Sequence, residues 1–484
     1  MREAYEALRL RALRDAGKIV FSDETSSLSR AELLQRVGAL ARELSLHKKA
    51  IGILASNGVA WAIAQLAGAV TGKTVVPLPA FFSAEQLGHI IRDADIGLIL
   101  CSDEFRALTA PSGVAVRPID ENRRALPVEF LEGFRQIVYT SGSTGHPKGV
   151  RLSGRQMEWS TAALAAASDA NESDSYLSIL PLPLLLETIC AIFIPLLVGG
   201  KTHFLDQGAK IFGAGQALGV ATMFETAKPS SSVLVPQLLD AWVEELTASG
   251  LRAPATLRFV AVGGAPAPKV LVEKAWALGI PVHEGYGLSE CCSVVALNRC
   301  GARKAGTVGQ PLAGLRVSIE EREIVVEGPS LMDGYLGGPD VGGRWRTGDL
   351  GEIDADGHLI VHGRKDNLLI TSFGRNICPE WIETLLLGDH RIAFCAVLGH
   401  GEPHLSVLLV PTAAGREWFV HADRADVLDF IAGCCVDAPS YAVPKDFFVL
   451  SLPEVTRLGL LTSNGRFRRK QVADCFEKWV RSAS

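Results

Sequence analysis

Short apolar segments alternate with helix-like segments along the first 130 residues of the chain. The helix-like segments carry apolar side chains at three- and four-residue spacing, and the first of them begins behind Ser29, a residue type that caps helices well. Strands that alternate with helices of this length form βαβ units, so the chain is predicted to be an α/β protein with mostly parallel sheets. We predict strands at 50–55, 74–78 and 96–100, and helices at 29–44, 58–71 and 83–93.

The alternation resumes after residue 202 and changes character at about residue 317. From there to Arg364, short alternating strands and a DADG turn at 354–357 predict a small β portion. A smaller region with both helices and strands follows the turn at Lys365 and Asp366. We therefore predict two domains, an N-terminal one over 1–365 and a C-terminal one over 366–484.

The overall composition is typical of a folded protein. Apolar residues make up 48% of the 484 residues and charged residues 21%, which excludes intrinsic disorder as the main character. The net charge of −5 argues against a nucleic-acid partner. The ten cysteines form no CxxC pair, which favours reduced thiols over a disulfide framework or a zinc site. The N-terminus lacks the apolar stretch of a secretory signal, so we expect a cytoplasmic location.

The longest apolar run, residues 176–200, is long enough to cross a membrane. Pro181, Pro183 and Pro195 would break a helix through it, and Glu187 would place a carboxyl group in lipid. We predict a buried core segment here and no integral membrane segment.

The segment YTSGSTGHPKG at 139–149 follows a strand-like run at 135–138. Its glycines let backbone N–H groups approach an anion, its hydroxyls add donors, and Lys148 supplies a positive charge for a phosphate. The spacing is not that of a Walker A loop. A plain polar turn would share this composition, so the residues alone leave both interpretations open.

Six segments, in this order along the chain, resemble the motifs of the adenylate-forming superfamily, which includes the acyl-CoA synthetases. TSGSTGHPKG at 140–149 resembles its phosphate-binding signature, and GYGLSE at 285–290 resembles its GYGxTE motif. The resemblance implies a large N-terminal α/β portion with a small β subdomain, followed by a small, mobile α+β C-terminal domain. The other four matches are GGAP at 263–266, RTGD at 346–349, GRKD at 363–366 and TSNGR at 462–466.

The same resemblance implies an enzyme that uses ATP and Mg²⁺ to couple a carboxylic acid to AMP with release of pyrophosphate. Two anions meet in that reaction, so cations and oriented donors must stand where charge accumulates. The predicted catalytic residues are Thr144, Lys148, Glu290 and Arg466, with Glu290 and Thr144 as ligands of Mg²⁺, a cation that prefers oxygen. The predicted nucleotide-binding residues are Thr140, Ser141, Gly142, Ser143, Gly145, Gly264, Ala265, Pro266, Gly285, Tyr286, Gly287, Ser289, Asp349 and Arg364.

The chain departs from the family pattern at Arg466, where these enzymes normally carry a lysine that bridges the substrate carboxylate and the α-phosphate. Arginine keeps the charge and binds oxyanions in a planar fork, so the exchange is not conservative. Three outcomes stay open: Arg466 does the work, Lys470 takes it over, or adenylation is slow.

The resemblance further implies that the C-terminal domain rotates about Asp366 between two half-reactions. A hinge of a few residues is sufficient for such a switch. One orientation would bring Arg466 to the active site. The other would bring the loop at 371–376, with Gly374, to line a tunnel for the thiol of CoA.

The substrate is expected in a pocket between the 182–187 segment, Pro236 and Gly264. No aspartate stands there to pair a substrate ammonium group, and burying an unpaired ammonium group is costly, so an α-amino acid is disfavoured. The run LPLPLLLE resembles the corresponding stretch of long-chain acyl-CoA synthetases, with Leu184 in place of a histidine and Glu187 retained. We therefore expect an apolar acid, with a fatty acid first and an aryl acid second.

Three functions remain open. The chain is an acid–thiol ligase that uses CoA, or it passes the acyl group to the phosphopantetheine of an acyl carrier protein, or it is a non-catalytic relative that binds nucleotide. We favour the CoA ligase. Acid-dependent pyrophosphate release separates the third from the others, and consumption of free CoA separates the first two.

Overall fold

The computed structural model describes residues 1–109, 112–120, 122–140, 147–213, 219–461 and 467–483. Several predicted elements are present nearly residue for residue. Helix α2 (Arg30–Leu44) begins after Ser29, whose side chain and Glu32 form a capping box. The helices are α1 (Arg2–Arg14), α2, α3 (Val59–Val70), α4 (Ala84–Asp93), α5 (Arg106–Thr109), α6 (Gly154–Ala167), α7 (Leu185–Thr188), α8 (Ile194–Val198), α9 (Asp206–Gly213), α10 (Val220–Ala227), α11 (Pro236–Ser249), α12 (Lys269–Ala277), α13 (Pro379–Leu386), α14 (Ala413–His421), α15 (Arg424–Cys434), α16 (Leu452–Arg457) and α17 (Arg469–Ala483).

Two large sheets form the N-terminal part of the molecule. One has seven strands in the order β18-β8-β7-β4-β3-β5-β6, and β7, β4, β3, β5 and β6 run parallel. Its strands are β3 (Ala50–Leu54), β4 (Thr74–Pro77), β5 (Ile96–Cys101), β6 (Ala115–Arg117), β7 (Arg135–Thr140), β8 (Lys148–Ser153) and β18 (Gly334–Tyr335).

The second large sheet has nine strands in the order β15-β14-β13-β12-β11-β9-β10-β1-β2, with a parallel centre from β13 to β1. One apolar core packs against both large sheets and contains Phe21, Trp61 and Trp242. The strands are β1 (Ile19–Ser22), β2 (Ser27–Ser29), β9 (Ser175–Ser178), β10 (Lys201–Phe204), β11 (Ser231–Leu234), β12 (Phe259–Val262), β13 (Val282–Leu288), β14 (Ser293–Leu297) and β15 (Gln310–Pro311).

The remaining strands form smaller sheets on either side of the predicted boundary. A four-stranded antiparallel sheet, β16-β17-β19-β20, ends at Arg364. A hairpin and a three-stranded sheet, β23-β24-β25, follow it, and their apolar residues form separate clusters. The strands are β16 (Arg316–Glu320), β17 (Glu323–Glu327), β19 (Arg344–Ile353), β20 (Leu359–Arg364), β21 (Leu369–Ile370), β22 (Asn376–Ile377), β23 (Ile392–Leu398), β24 (Ser406–Pro411) and β25 (Asp446–Val449).

The long apolar run is part of the core, as predicted. It contains α7, a π-helical turn (Ile189–Phe193) and α8, which has Pro195 in its first turn. Ile189, Ile192 and Phe193 are fully buried. Within the described ranges, no helix combines the length and the apolar character that crossing a membrane requires.

Candidate active site

A cleft of about 2670 Å³ lies between the N-terminal sheets and the C-terminal elements, where strands of both large sheets end. Ligands of open α/β sheets bind at such carboxyl ends, because the loops that follow the strands meet there. The cleft brings together most of the predicted nucleotide-binding residues that the structure describes. Those that line it are Thr140, Gly264, Ala265, Pro266, Gly285, Tyr286, Gly287, Ser289, Asp349 and Arg364, and the predicted catalytic residues Lys148 and Glu290 and the predicted hinge residue Asp366 line it too.

Asp349 is the centre of a hydrogen-bonded group on one wall of the cleft. It is opposite Arg364 in the antiparallel pair β19–β20, and Arg364 Nη1 donates to its Oδ1 at 2.9 Å. The hydroxyl of Tyr286 donates to Oδ2 at 2.6 Å. Burial and the neighbouring Asp349 charge raise the pKa of Tyr286, so the phenol stays protonated and remains a donor. Each carboxylate oxygen has a second lone pair, so Asp349 can still accept hydrogen bonds from two hydroxyl groups of a ligand.

Glu290 is held by a tyrosine that the motif analysis did not find. The hydroxyl of Tyr335 donates to Glu290 Oε1 at 2.7 Å, and Lys148 Nζ lies 5.7 Å from the centre of the Tyr335 ring. Strand β18 pairs with β8 and so sets Tyr335 beside the predicted phosphate-binding lysine. The sequence around Tyr335 carries no signal for this role, because the contact joins segments far apart in the chain.

Glu284 is a second residue that the motif analysis missed. It lines the cleft two positions before Tyr286 on β13 and is 6% exposed. Burial raises its pKa to about 8, and its carboxyl group accepts one hydrogen bond, from Gly306 N at 3.3 Å. An acid within the otherwise buried start of β13 is the signal that could have identified it.

Two predicted loops lie outside the described residues. The first holds Ser141, Gly142, Ser143, Thr144 and Gly145. Thr140 and Lys148, which flank these residues in the chain, are paired across β7 and β8, and both line the cleft. The second, 462–466, holds Arg466, and the assignment of these residues to phosphate, Mg²⁺ and catalysis stays a prediction.

The segment that follows the second loop, 467–471, lines the cleft. Arg469 is not available to a substrate, because it donates two parallel hydrogen bonds to Glu383, at 2.8 and 2.5 Å. Lys470 lines the cleft and is exposed. Of the two predicted substitutes for the usual lysine, Lys470 therefore faces the cleft, and Arg466 is four residues before it.

The predicted hinge and the predicted CoA loop lie at different places relative to the cleft. Asp366 is in a 3₁₀ turn (Lys365–Asn367) at its edge. Lys365 Nζ lies 3.1 Å from Glu323 Oε2, which ties the turn to β17. Gly374 has a φ of 73°, is exposed, and is not among the residues that line the cleft in this arrangement. Its role in a CoA tunnel stays a prediction.

A second, mostly apolar pocket of about 420 Å³ joins the cleft at Gly264 and at residues 285–289, which line both. Its walls are residues of β11 and β12 on one side and the 183–198 segment on the other. Leu184, Glu187 and Gly264 line it, as predicted for the acid pocket. Pro236 does not line it: this residue is buried in the first turn of α11, and the preceding Val235 reaches the pocket instead.

Glu187 is the most unusual side chain of this pocket. It is fully buried, and its Oε2 accepts a hydrogen bond from the Tyr176 hydroxyl at 2.9 Å. Burial raises its pKa to about 8, while the hydroxyls of Ser178 and Tyr176 limit the rise. The apolar surroundings therefore favour the protonated form of its carboxyl group.

The end of the pocket away from the cleft lies against an ion pair. Arg258 contacts Asp174 through both carboxylate oxygens, with Nε 2.7 Å from Oδ1, and donates to the carbonyl oxygen of Ser168 at 2.6 Å. Since both charges are paired with each other, this pair provides a polar end wall without an uncompensated charge.

Comparison with known proteins agrees with this geometry. The family model described as AMP-binding enzyme matches residues 8–336, more than half of the chain. Over 93% of its length the chain is 28% identical to the 2-succinylbenzoate–CoA ligase of Bacillus subtilis (strain 168), of which the match covers 95%. It is 27% identical to the malonate–CoA ligase of Arabidopsis thaliana, over 84% of this chain and 76% of that one. A feruloyl-CoA synthase of Streptomyces sp. is 28% identical, over 87% and 89%.

Solved structures share the fold. The o-succinylbenzoate CoA synthetase of Bacillus subtilis in complex with ATP and magnesium ion matches with a TM-score of 0.79 at 24% identity, over 96% of this chain and 98% of that one. The anthranilate CoA ligase AuaEII in complex with anthranoyl-AMP matches with a TM-score of 0.83 at 17% identity, over 98% and 96%. The predicted fold is confirmed.

Proposed function

The chain belongs to the AMP-binding enzyme family, and from this premise we propose that it activates an aromatic carboxylic acid as its acyl-AMP and transfers the acyl group to CoA. The observation that carries the proposal is the junction of the two cavities. Gly264 and residues 285–289 line both the nucleotide cleft and the acid pocket, so an acid carboxylate at the mouth of its pocket meets the α-phosphate of a nucleotide held by Asp349.

The general class of the enzyme follows from the family and its relatives. The prediction of an AMP-forming acid–thiol ligase is confirmed, and so is the prediction that it uses ATP, Mg²⁺ and CoA. The relatives named above are CoA ligases, and they give no support to transfer to a carrier protein.

The expected acid is corrected by the same relatives. A fatty acid, and with it a place in fatty acid metabolism, finds no support, since the relatives are named for succinylbenzoate, ferulate and malonate. An apolar-walled pocket of about 420 Å³ suits an aromatic ring. A cavity of about 150 Å³ is sufficient for benzene, so the pocket has room for a ring with substituents.

The proposed reaction has two steps. An oxygen of the acid attacks the α-phosphorus of ATP, and pyrophosphate leaves. The thiolate of CoA then attacks the acyl carbon, and AMP leaves. In this proposal Asp349 and Tyr286 hold the nucleoside, and Glu290 would hold Mg²⁺, whose charge would offset that of the phosphates. Lys148 and Arg466 supply the protein's own positive charge.

Pyrophosphate release tests the proposal directly. The purified chain is incubated with ATP, Mg²⁺ and either substituted benzoates and cinnamates or straight-chain acids from butyrate to palmitate, with and without CoA. We expect release that depends on an aromatic acid, increases with CoA and matches the CoA consumed. A better rate with straight-chain acids would contradict the aromatic assignment. Acid-dependent release without consumption of CoA would contradict CoA as the acceptor.

A further inference from the structure

The β18 segment, from Met332 to Leu336, connects two parts of the cleft that are far apart in the chain. At one end, the backbone N–H of Met332 donates to the carbonyl oxygen of Glu290, at 2.8 Å. At the other end, the backbone N–H of Leu336 donates to the carbonyl oxygen of Gly149, also at 2.8 Å. Gly149 follows Lys148 at the start of β8. The segment therefore bridges the backbone of the predicted metal ligand and that of the predicted phosphate-binding lysine.

Tyr335, within this segment, contacts the side chains of both residues. Its hydroxyl donates to Glu290 Oε1 at 2.7 Å. The centre of its ring lies 5.7 Å from Lys148 Nζ, within the range of cation–π attraction. The ring of Trp345 packs edge-on against it, with 6.1 Å between ring centres, which restricts its movement. One side chain thus holds an anion by its hydroxyl and a cation by its ring.

Glu290 and Lys148 both stay available to a ligand. Neither forms an ion pair with any residue that the structure describes, and within the same ranges no hydrogen bond reaches Glu290 Oε2. Glu290 is half-buried, Lys148 is exposed, and both line the cleft. A carboxylate oxygen without a protein partner is the kind of ligand that Mg²⁺ prefers, and an unpaired lysine suits a phosphate. The residues present therefore fit the predicted cofactor.

We infer that Tyr335 is a positioning residue of this part of the site: its hydroxyl fixes the Glu290 carboxylate for Mg²⁺ binding, and its ring supports Lys148 for phosphate binding. The inference rests on the proposed function. A donor to one carboxylate oxygen fixes the rotation of the group and leaves the other oxygen for the metal, as outer partners of metal ligands do. A cation–π contact supports the lysine without neutralising its charge, so Lys148 keeps that charge for a phosphate.

Equilibrium binding of a non-reacting nucleotide tests the inference. The probe is the ATP analogue with a methylene group in place of the α,β-bridging oxygen, from which pyrophosphate cannot leave. Calorimetry gives its Kd without Mg²⁺ and with saturating Mg²⁺, and the ratio of the two values measures the contribution of the metal. The Kd of AMP, measured without metal, reports the contacts of Asp349 separately. For the wild-type chain we expect Mg²⁺ to tighten binding of the analogue.

Two variants divide the hydroxyl from the ring. Tyr335→Phe should lower the Kd ratio by about 10-fold or more, as is typical when an outer partner of a metal ligand is lost, and should leave AMP and metal-free binding unchanged. Tyr335→Leu should also weaken metal-free binding of the analogue, by about 2- to 5-fold, because Lys148 loses the ring. Tyr441→Phe is the matched control, since Tyr441 lines the same cleft with its ring 5.2 Å from the guanidinium carbon of Arg375, and all its Kd values should equal those of wild type.

A double-variant cycle shows whether Tyr335 acts through Glu290. Glu290→Gln should by itself remove most of the Mg²⁺ effect. Adding Tyr335→Phe should then lower the ratio no further, because the hydroxyl no longer has a carboxylate to position. A purely structural role of Tyr335 would instead weaken the binding of AMP and of the metal-free analogue in both backgrounds.

Each outcome decides the inference. A wild-type Kd ratio in Tyr335→Phe would overturn it, and so would an equal weakening of AMP and of the analogue with and without metal. Should Tyr335→Leu not fold, Tyr335→Phe, which fills almost the same space, still decides. Neither result would affect acid-dependent pyrophosphate release by the wild-type chain, so the proposed function would stand. A wild-type chain that shows no Mg²⁺ effect and releases no pyrophosphate would overturn the proposed function, and the inference with it.

Discussion

Asp349 in the nucleotide cleft and Glu187 in the acid pocket are both buried carboxyl groups, but their surroundings differ in charge. Asp349 is opposite a guanidinium group and accepts from a phenol, at 2.9 and 2.6 Å. Glu187 has hydroxyls and apolar side chains around it, and its pKa is raised to about 8. The two cavities share lining residues, so a carboxylate paired with an arginine and a carboxyl group with a raised pKa lie in neighbouring parts of one site.

The difference teaches what each cavity can recognise. A carboxylate paired with arginine accepts hydrogen bonds from hydroxyl groups and tolerates the charges of a nucleotide nearby. A neutral carboxyl group in an apolar wall recognises uncharged polar groups and rejects anions. The following changes test this contrast, beginning with the one expected to have the largest effect.

Arg466→Ala removes the positive charge that we predict where the acid and the α-phosphate meet. We expect adenylation to slow by about 10²–10³-fold, as is usual when one oriented donor to a developing charge is lost. Thioester formation from supplied acyl-AMP should stay nearly intact. Single-turnover measurement of each half-reaction checks this. Arg457→Ala, at an exposed arginine that does not line the cleft, serves as the control, and an equal loss in both half-reactions of Arg466→Ala would make Arg466 structural.

Asp349→Ala removes the carboxyl group that is paired with Arg364. It removes the acceptors for the ribose hydroxyls and leaves Arg364 and Tyr286 without their partner. Hydrogen bonds to a charged group are each worth about 1.5–3 kcal/mol, so the loss of even one of the two ribose bonds should raise the Kd for ATP by at least about 10-fold. Titration calorimetry measures this. Asp356→Ala, on an exposed turn, should leave ATP binding unchanged, and an unaltered ATP affinity in Asp349→Ala would refute the ribose assignment.

Glu187→Gln tests the raised pKa of Glu187 through the pH dependence of the free energy of unfolding. In the folded protein the pKa of Glu187 is about 8, above the ordinary value of 4.5, so between these values the folded state holds a proton that the unfolded chain has lost. The contribution of this group to stability is therefore full below pH 4.5 and falls as pH rises to 8, by at most about 1.4 kcal/mol per pH unit.

Glutamine does not titrate, so Glu187→Gln should gain stability relative to wild type as the pH rises from 5 to 8. Urea unfolding of both proteins at several pH values within this range gives the difference, and Glu284 contributes equally to both because it is unchanged. The exposed-site variant Glu129→Gln should show no such trend. A difference that does not vary with pH would mean that Glu187 is ionised in the folded protein.

Much of the nucleotide site could be predicted because its residues belong to short motifs. Asp349 and Arg364 stand on adjacent strands of a hairpin, and Gly285 to Glu290 are a single segment. The tyrosine that contacts Glu290 could not be predicted in this way, since Tyr335 reaches it through the pairing of β18 with β8.

The acid pocket was predicted less well, for a geometric reason. Pro236 is next in the chain to Val235, which follows β11 and lines the pocket. As the first residue of α11, however, Pro236 is itself buried and does not line the cavity. Arg469 stands between the two predicted cationic residues Arg466 and Lys470, yet Glu383, 86 residues away, takes its guanidinium group. The sequence carries no local pattern that shows which of two neighbouring residues points into a cavity, or which distant residue forms an ion pair with an arginine.

By itself the sequence determined the order of helices and strands, the family and most of the motif segments that line the cleft, because these depend on local spacing and on contiguous motifs. Only the tertiary structure decided that Glu187 is enclosed with Tyr176 and without a cation, and that Glu290 is held by Tyr335. Those properties depend on which distant segments come into contact, because protonation and hydrogen bonding follow from the burial and charge around a group rather than from its neighbours in the chain.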